Sequence, residues 1–309
     1  MGTPHRDHHH HRLAVAHSPL ATPSATIAVL KRHGLATKKS LGQHFLVDDN
    51  AVGRIIELAA LTGDETVLEI GPGIGTLTVA LCENAGAVVA VERDTDLLGA
   101  LAASTAQYPR FAVVRADAVA VSPETIAGPF GPPTSLVANL PYAVAATVVL
   151  RFFQEIPTLT SATVMVQSEV AARMAAGPGS KEYGSYTVKL RLLASPAGRF
   201  AVSRSCFLPP PRVDSAVLRL ERNPLAEDPV LLRDAARAAD AAFAQRRKTI
   251  RNSLRSVLDA EAAVIDAALE TAGIDGALRA EALPPEAFLA LAAALSGTDV
   301  LATGARSRT

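Results

Sequence analysis

The sequence predicts an α/β protein in which a largely parallel sheet with crossover helices is followed by a smaller all-helical C-terminal domain. Three observations predict it. From Thr66 onward, strand-type runs alternate with helical runs, the pattern of a parallel sheet whose strands are joined by helices. A glycine-rich loop, Gly71-Pro72-Gly73-Ile74-Gly75, sits between the first strong strand and the helix after it. Beyond Asn223-Pro224 the texture becomes alanine-rich and helical up to Leu295. At 309 residues with 49% hydrophobic content, the chain can fill one large core and a smaller one.

Element by element, a short helix is expected over Ala25 to His33, with Ser24 as N-cap and Gly34 as its stop. Asp49 to Leu61 is helical in pattern, with Val52, Ile55, Ile56 and Ala59 on one face. Then come strand Thr66 to Ile70, helix Leu77 to Asn84, strand Val88 to Val91, helix Asp96 to Ser104 and strand Phe111 to Arg115. A fourth strand, Ser135 to Ala138, ends at Asn139, and a helix runs from there to Phe153. Strand Thr163 to Gln167 and helix Ser168 to Ala175 continue the alternation. Past Tyr183 the segments Tyr186 to Leu193, Phe200 to Ser203 and Ala216 to Leu220 read as strands, with an antiparallel tail to the sheet.

These readings divide the chain into an extension over 1–23, an α/β domain over 24–222, a helical domain over 223–296 and a flexible tail over 297–309. The extension holds His8, His9, His10 and His11, which read as a tag-like or disordered stretch rather than a metal centre. No metal is expected.

Thirty basic and thirty acidic residues cancel, so bulk charge gives no reason to expect a nucleic-acid partner and its distribution must decide. Cys82 and Cys206 are the only cysteines. That excludes a disulfide framework or a cysteine-rich zinc site and fits a reducing, cytoplasmic setting. No apolar run approaches the roughly 20 residues that span a bilayer. The N-terminal stretch is interrupted by His17, Pro19 and Pro23, where a signal peptide needs continuity.

Glycines between a strand and a helix let the backbone turn sharply and approach a ligand closely. Glu69 precedes the loop, Glu92 ends the next strand and Asp117, followed by Ala118, ends the third. A carboxylate at Glu92 can accept from both ribose hydroxyls, and Asp117 is placed to reach an adenine amino group. A tight turn and a dinucleotide-binding dehydrogenase are the alternatives. The order of acids and the GxGxG spacing, distinct from GxGxxG, suit S-adenosylmethionine better than NAD.

Asn139-Leu140-Pro141-Tyr142 follows the fourth strand, at the carboxyl end where ligands bind in open α/β sheets. The lone pair of an aromatic amine is delocalised into its ring, and attack on a methyl donor requires that pair to be localised. The Asn139 side-chain oxygen and a backbone carbonyl at Leu140 or Pro141 can each accept one amine hydrogen without a tuned base. Pro141 fixes the bend and removes a donor. Tyr142 offers a face for a base to stack on, a contact worth roughly 1–3 kcal/mol. Asn-x-Pro also opens ordinary turns, so the tetrapeptide gains meaning from sharing a sheet with the glycine loop.

These residues resemble the rRNA adenine dimethyltransferases, and the small-subunit branch associated with kasugamycin sensitivity in particular, from about Thr26 to Ser256. Leu41 to Leu46, Glu69 to Gly75, Asn139 to Tyr142 and Phe207-Leu208-Pro209-Pro210-Pro211-Arg212-Val213-Asp214-Ser215 carry the resemblance. Gly177 to Gly184 and Phe243 to Thr249 resemble the small-subunit branch. The resemblance implies a Rossmann-like methyltransferase domain, a helical domain that grips rRNA, and dimethylation of two adjacent adenosines near the 3′ end of 16S rRNA. It implies cofactor contacts from His44, Leu46, Gly71, Gly73, Glu92, Asp117, Ala118 and Asn139. The family usually has asparagine at the position of His44; an imidazole can still donate to a carboxylate. Phe207 would form the second wall of a base sandwich opposite Tyr142, a rigid proline loop presenting it, with a core phenylalanine as the alternative.

Arg246, Arg247, Lys248, Arg251 and Arg255 form a basic run with no acid among them, expected on a helix. Lys38, Lys39 and Arg212, with Lys181, Lys189, Arg191 and Arg204, add positive charge around the cleft, which favours phosphate contacts over a merely solvated face. The rival readings are a large-subunit methyltransferase of the macrolide-resistance type and a non-catalytic ribosome-assembly factor. A monomer acting on immature small subunits is expected.

Overall fold

The computed structural model describes residues 18–36, 43–298 and 300–301. The expectations for the His8 to His11 run, Lys38 and Lys39 lie outside these residues. Chain order begins with α1 (Pro23–Arg32), β1 (Phe45–Leu46), α2 (Asp49–Ala59), β2 (Thr66–Ile70), α3 (Thr76–Asn84) and β3 (Ala87–Glu92). It continues through α4 (Leu98–Thr105), β4 (Phe111–Arg115), α5 (Pro123–Ala127), β5 (Ser135–Asn139), α6 (Ala145–Glu155), β6 (Ser161–Gln167) and α7 (Ser168–Ala175). Then follow α8 (Ser185–Arg191), β7 (Ala194–Val202), β8 (Phe207–Leu208) and β9 (Ser215–Arg222). The last helices are α9 (Pro229–Phe243), α10 (Ile250–Val257), α11 (Ala262–Thr271) and α12 (Pro285–Leu295).

Seven strands form one sheet in the order β4-β3-β2-β5-β6-β9-β7. The first five are parallel, while β9 runs antiparallel to both β6 and β7. The strand order turns back between β2 and β5, which opens a crevice at their carboxyl ends. Successive side chains alternate between faces. Leu68, Ile70, Leu136, Ala138, Val164 and Val166 pack with α6 on one side. Val67, Val137 and Met165 pack with α2 and α3 on the other. Burial on both faces is what makes these strands read as continuous apolar runs. Among the described residues, no helix is long and apolar enough to cross a membrane.

Several expectations change. The N-cap of α1 is Thr22, whose hydroxyl accepts from the Ala25 amide at 3.2 Å, rather than Ser24. Pro23 opens this helix, where its missing N–H is harmless. Tyr186 to Leu193, expected as a strand, is helix α8. Its alternating apolar residues serve two cores: Tyr186 and Leu190 face the sheet, whereas Val188 and Leu192 join the core of α9 to α12. A helix buried on opposite sides repeats at i+4 on each and imitates a two-residue period. Tyr183 joins the helical core too, and its hydroxyl donates to the Leu283 carbonyl at 2.8 Å. Core packing therefore crosses the boundary expected near residue 222.

Candidate active site

The crevice begins with the loop after β2. Gly71 and Gly73 take φ of 67° and 62°, in the left-handed region that side chains disfavour. A Cβ on Gly71 would lie 3.5 Å from the Pro141 ring, and one on Gly73 would lie 3.4 Å from the Phe45 ring. The loop is thus lodged between the tetrapeptide and β1. A cleft of about 510 Å³ opens here, within the roughly 300–1,000 Å³ typical of small-molecule sites. Of the expected cofactor and catalytic residues, all but Phe207 line this cleft.

Glu92 ends β3 and is 5% exposed. Its carboxylate accepts from the Gly73 amide at 3.3 Å and from the Asp94 amide at 2.7 Å, so it ties the glycine loop to the next strand end. Burial pushes this carboxyl above its ordinary pKa. Asp117, past β4, accepts from the Val119 amide at 2.9 Å and pairs with Arg93 at 3.3 Å. Arg93 lines the same cleft and is absent from the sequence-based expectation, although it adjoins Glu92. Glu69 lies deeper, 1% exposed, with Oε2 lacking any hydrogen-bond partner. Burial pushes its carboxyl up to about 8, aided by the charge of Glu92 and opposed by the Thr78 hydroxyl.

Asn139 closes β5 opposite Met165 of β6, and the Leu140 amide extends the ladder by donating to the Met165 carbonyl at 3.0 Å. Leu140 itself is 1% exposed and its side chain belongs to the core, so only its backbone faces chemistry. The Pro141 carbonyl accepts from the Val144 amide at 3.1 Å. Between the two carbonyls anticipated from sequence, Leu140 is therefore the one left uncommitted among the described residues. The Asn139 amide nitrogen donates to the His44 carbonyl at 3.4 Å, which leaves the side-chain oxygen as the acceptor end. The Tyr142 hydroxyl shares a 2.7 Å hydrogen bond with Ser215 Oγ, and burial raises its pKa.

The expectation for Phe207 is corrected. Phe207 is 2% exposed, paired with Leu46 across β1 and β8, and packed with Val52, Met165 and Val217. It belongs to the core and does not face Tyr142. The ring that does is His44, with centroids 5.9 Å apart and planes 24° from parallel. His44 Nδ1 bonds to the Pro209 carbonyl at 2.8 Å. Because a carbonyl can only accept, Nδ1 is the donor in this hydrogen bond.

The basic run is also divided by the fold. Arg246, Arg247 and Lys248 lie exposed in the turn between α9 and α10 rather than on a helix. Arg246 reaches the Lys181 carbonyl at 3.5 Å. Arg251 and Arg255 project from α10 onto Asp266, Arg251 at 3.2 Å, so an acid distant in sequence neutralises part of the run. Arg212 is exposed in the loop before β9. Lys189 is paired with Asp240 at 2.9 Å.

A family model described as ribosomal RNA adenine dimethylase matches residues 34–296. The ribosomal RNA small subunit methyltransferase A of Shouchella clausii is 41% identical over 287 residues, covering 90% of this chain and 96% of that protein. The protein of the same name from Streptomyces griseus is 45% identical over 269 residues, covering 84% and 89%. Among solved structures, the 23S rRNA methyltransferase ErmE superposes with a TM-score of 0.62 at 30% identity, covering 81% of this chain and 99% of that one. A dimethyladenosine transferase from Plasmodium falciparum gives 0.68 at 24% identity, covering 80% and 96%, and so supports the fold. A family match along nearly the whole described chain, with relatives above 40% identical over most of their length, places this protein in the ribosomal RNA adenine dimethylase family.

Proposed function

We propose that this protein is a 16S rRNA (adenine-N6,N6)-dimethyltransferase that modifies two adjacent adenosines near the 3′ end of that RNA. The observation that carries this reading is the tetrapeptide at the carboxyl end of β5, with Pro141 seated against the glycine loop at Gly71. Relatives named for the small subunit are 41–45% identical, against 30% for the large-subunit enzyme, which favours the small-subunit substrate.

The cleft suits S-adenosylmethionine. Glu92 is placed for the ribose hydroxyls and Asp117 for the adenine amine, with the Ala118 backbone beside it. Gly71 and Gly73 admit close backbone approach, Leu46 lines the apolar wall, and Glu69 lies in the floor. Bound there, S-adenosylmethionine supplies an electrophilic methyl group. The chain's own work is to present the nucleophile. Asn139 Oδ1 and the Leu140 carbonyl accept the two hydrogens of the adenine amine, which localises the nitrogen lone pair toward the methyl donor. For the second transfer the amine has one hydrogen left and one acceptor suffices. Tyr142, oriented by Ser215, gives the extruded base a stacking face that offsets the few kcal/mol needed to unstack it. Orientation of this kind can lower a barrier by about 7–11 kcal/mol.

The helical C-terminal domain and the exposed Arg212, Arg246, Arg247 and Lys248 would grip RNA phosphates, with Lys38 and Lys39 contributing from the other domain. The substrate form would be an immature small ribosomal subunit, met in the cytoplasm by a monomer. Replacing Asn139 with alanine tests the catalytic assignment. Methyl transfer should fall by at least about a hundredfold while small-subunit binding stays within about twofold; near-normal turnover would refute the role.

A further inference from the structure

We propose that Arg151 is a positioning residue for the cofactor. Its guanidinium fixes the turn after β4 and, through one peptide plane, the Asp117 carboxylate that receives the amine of the cofactor's adenine. This rests on the placement of that adenine at Asp117 given above. Arg151 lies on α6, the helix that leaves the tetrapeptide, and does not itself line the cleft. Nη1 donates to the Ala118 carbonyl at 3.1 Å and to the Val119 carbonyl at 2.8 Å. Nη2 donates to the Val121 carbonyl at 2.6 Å and meets the Glu155 carboxylate, one turn along the helix, at 2.8 Å. Three carbonyls of a single turn thus converge on one planar fork, a geometry that arginine offers and lysine does not. The side chain is 18% exposed, so water competes weakly for these donors.

The link to Asp117 runs through the peptide joining Ala118 to Val119. Its carbonyl accepts from Arg151, and its N–H donates to Asp117 Oδ1 at 2.9 Å. A peptide unit is planar and resists twisting, so fixing the carbonyl fixes the direction of the N–H and with it the carboxylate. A cation at the carbonyl end also polarises the unit and strengthens its N–H as a donor. The Asp117 carbonyl closes the turn by accepting from the Ala120 and Val121 amides, at 3.0 and 2.9 Å. Ala118, Val121 and Ile126 pack with Val148, Val149 and Phe152 of α6. That packing sets where the turn sits, but apolar contact is non-directional and leaves the rotation of the peptide open. Arg151 supplies the direction. Arg93, the other partner of Asp117, is 68% exposed and contributes little on its own.

The test measures calorimetric affinity for two ligands: S-adenosylhomocysteine, and its analogue with hydrogen in place of the adenine amine. Wild-type protein should prefer the first about tenfold, the order of one hydrogen bond to a charged group. D117A should bind the two equally. R151M should retain only about a twofold preference, by weakening the amine-bearing ligand alone. R151K keeps the cation but gathers its donors on one nitrogen; it should fall between and guards against loss of the fold in R151M. Thermal melts identify which variants are folded. A role confined to stability would weaken both ligands alike and leave their ratio unchanged. The proposal is overturned if a folded variant of the pair keeps the wild-type ratio. If wild type shows no preference, or D117A retains it, the cofactor's adenine does not lie at Asp117, and that placement falls together with the proposal.

Discussion

Glu69 hangs from β2 into the cleft floor with 1% of its surface exposed, and its ionisation is a property of the fold rather than of the residue. Burial raises its pKa from an ordinary 4.5 to about 8. Below pH 4.5 the folded and unfolded chains both hold the proton. Between there and about pH 8 only the folded chain holds it, so the contribution of Glu69 to stability is lost as pH rises through this window. Replacing Glu69 with glutamine removes the ionisable group. The stability of E69Q relative to wild type, measured by denaturant unfolding of the cofactor-free protein, should increase from about pH 4.5 to 8, by the order of a few kcal/mol. A difference that stays flat across that range would contradict the buried carboxyl. The position of Glu69 before the glycines is legible in the sequence; its desolvation is not, because α3 and β3 supply the surroundings. Phe207 shows the reverse error. Three adjacent prolines suggest an exposed loop, yet pairing with Leu46 buries the ring.

At the scale of elements, the parallel strands are located closely because each is a bounded apolar run, covered on both faces in β2, β5 and β6 and half-exposed in the edge strand β4. β2 and β4 have the expected limits, and β5 extends one residue further to include Asn139. α8 imitates a strand for a related reason: it is covered on two sides, and its two i, i+4 pairs sum to an alternating pattern. The two-residue strands β1 and β8 carry no periodicity of their own. Their pairing is nevertheless what brings His44 and Pro209 together. The basic turn after α9 is a second case in which tertiary structure revises a linear pattern. Arg247 and Lys248 remain exposed, whereas Arg251 lies against Gly276 and Asp266. Charge reversal at Arg247 and Lys248 should therefore weaken small-subunit binding. It should also flatten the slope of log affinity against log salt by about 1.4–1.8, some 0.7–0.9 for each phosphate no longer neutralised. Unchanged affinity and slope in R247E/K248E would remove this turn from the RNA surface.

Over the whole molecule, positive and negative residues balance, so attraction to RNA depends on where the fold leaves cations unpaired. Lys189 is paired with Asp240, and Arg251 and Arg255 share Asp266, whereas the turn at Arg246 to Lys248 is exposed. Helix α8 and Tyr183 bind the helical unit to the sheet domain through a shared core and the Tyr183 to Leu283 hydrogen bond. The turn is thereby held in a fixed relation to the cleft. The succession of parallel strands and then C-terminal helices, and the cleft at the carboxyl ends of the strands, are readable from alternation, glycines and the tetrapeptide. The identity of the ring facing Tyr142 and the division of the basic run depend on distant segments meeting in the fold. The most direct test is to incubate the protein with isotopically labelled S-adenosylmethionine and unmodified small and large ribosomal subunits, then map the labelled bases. The predicted result is N6,N6-dimethylation of two adjacent adenosines near the 3′ end of 16S rRNA and no label on the large subunit. Label on large-subunit RNA, or on neither particle, would contradict it.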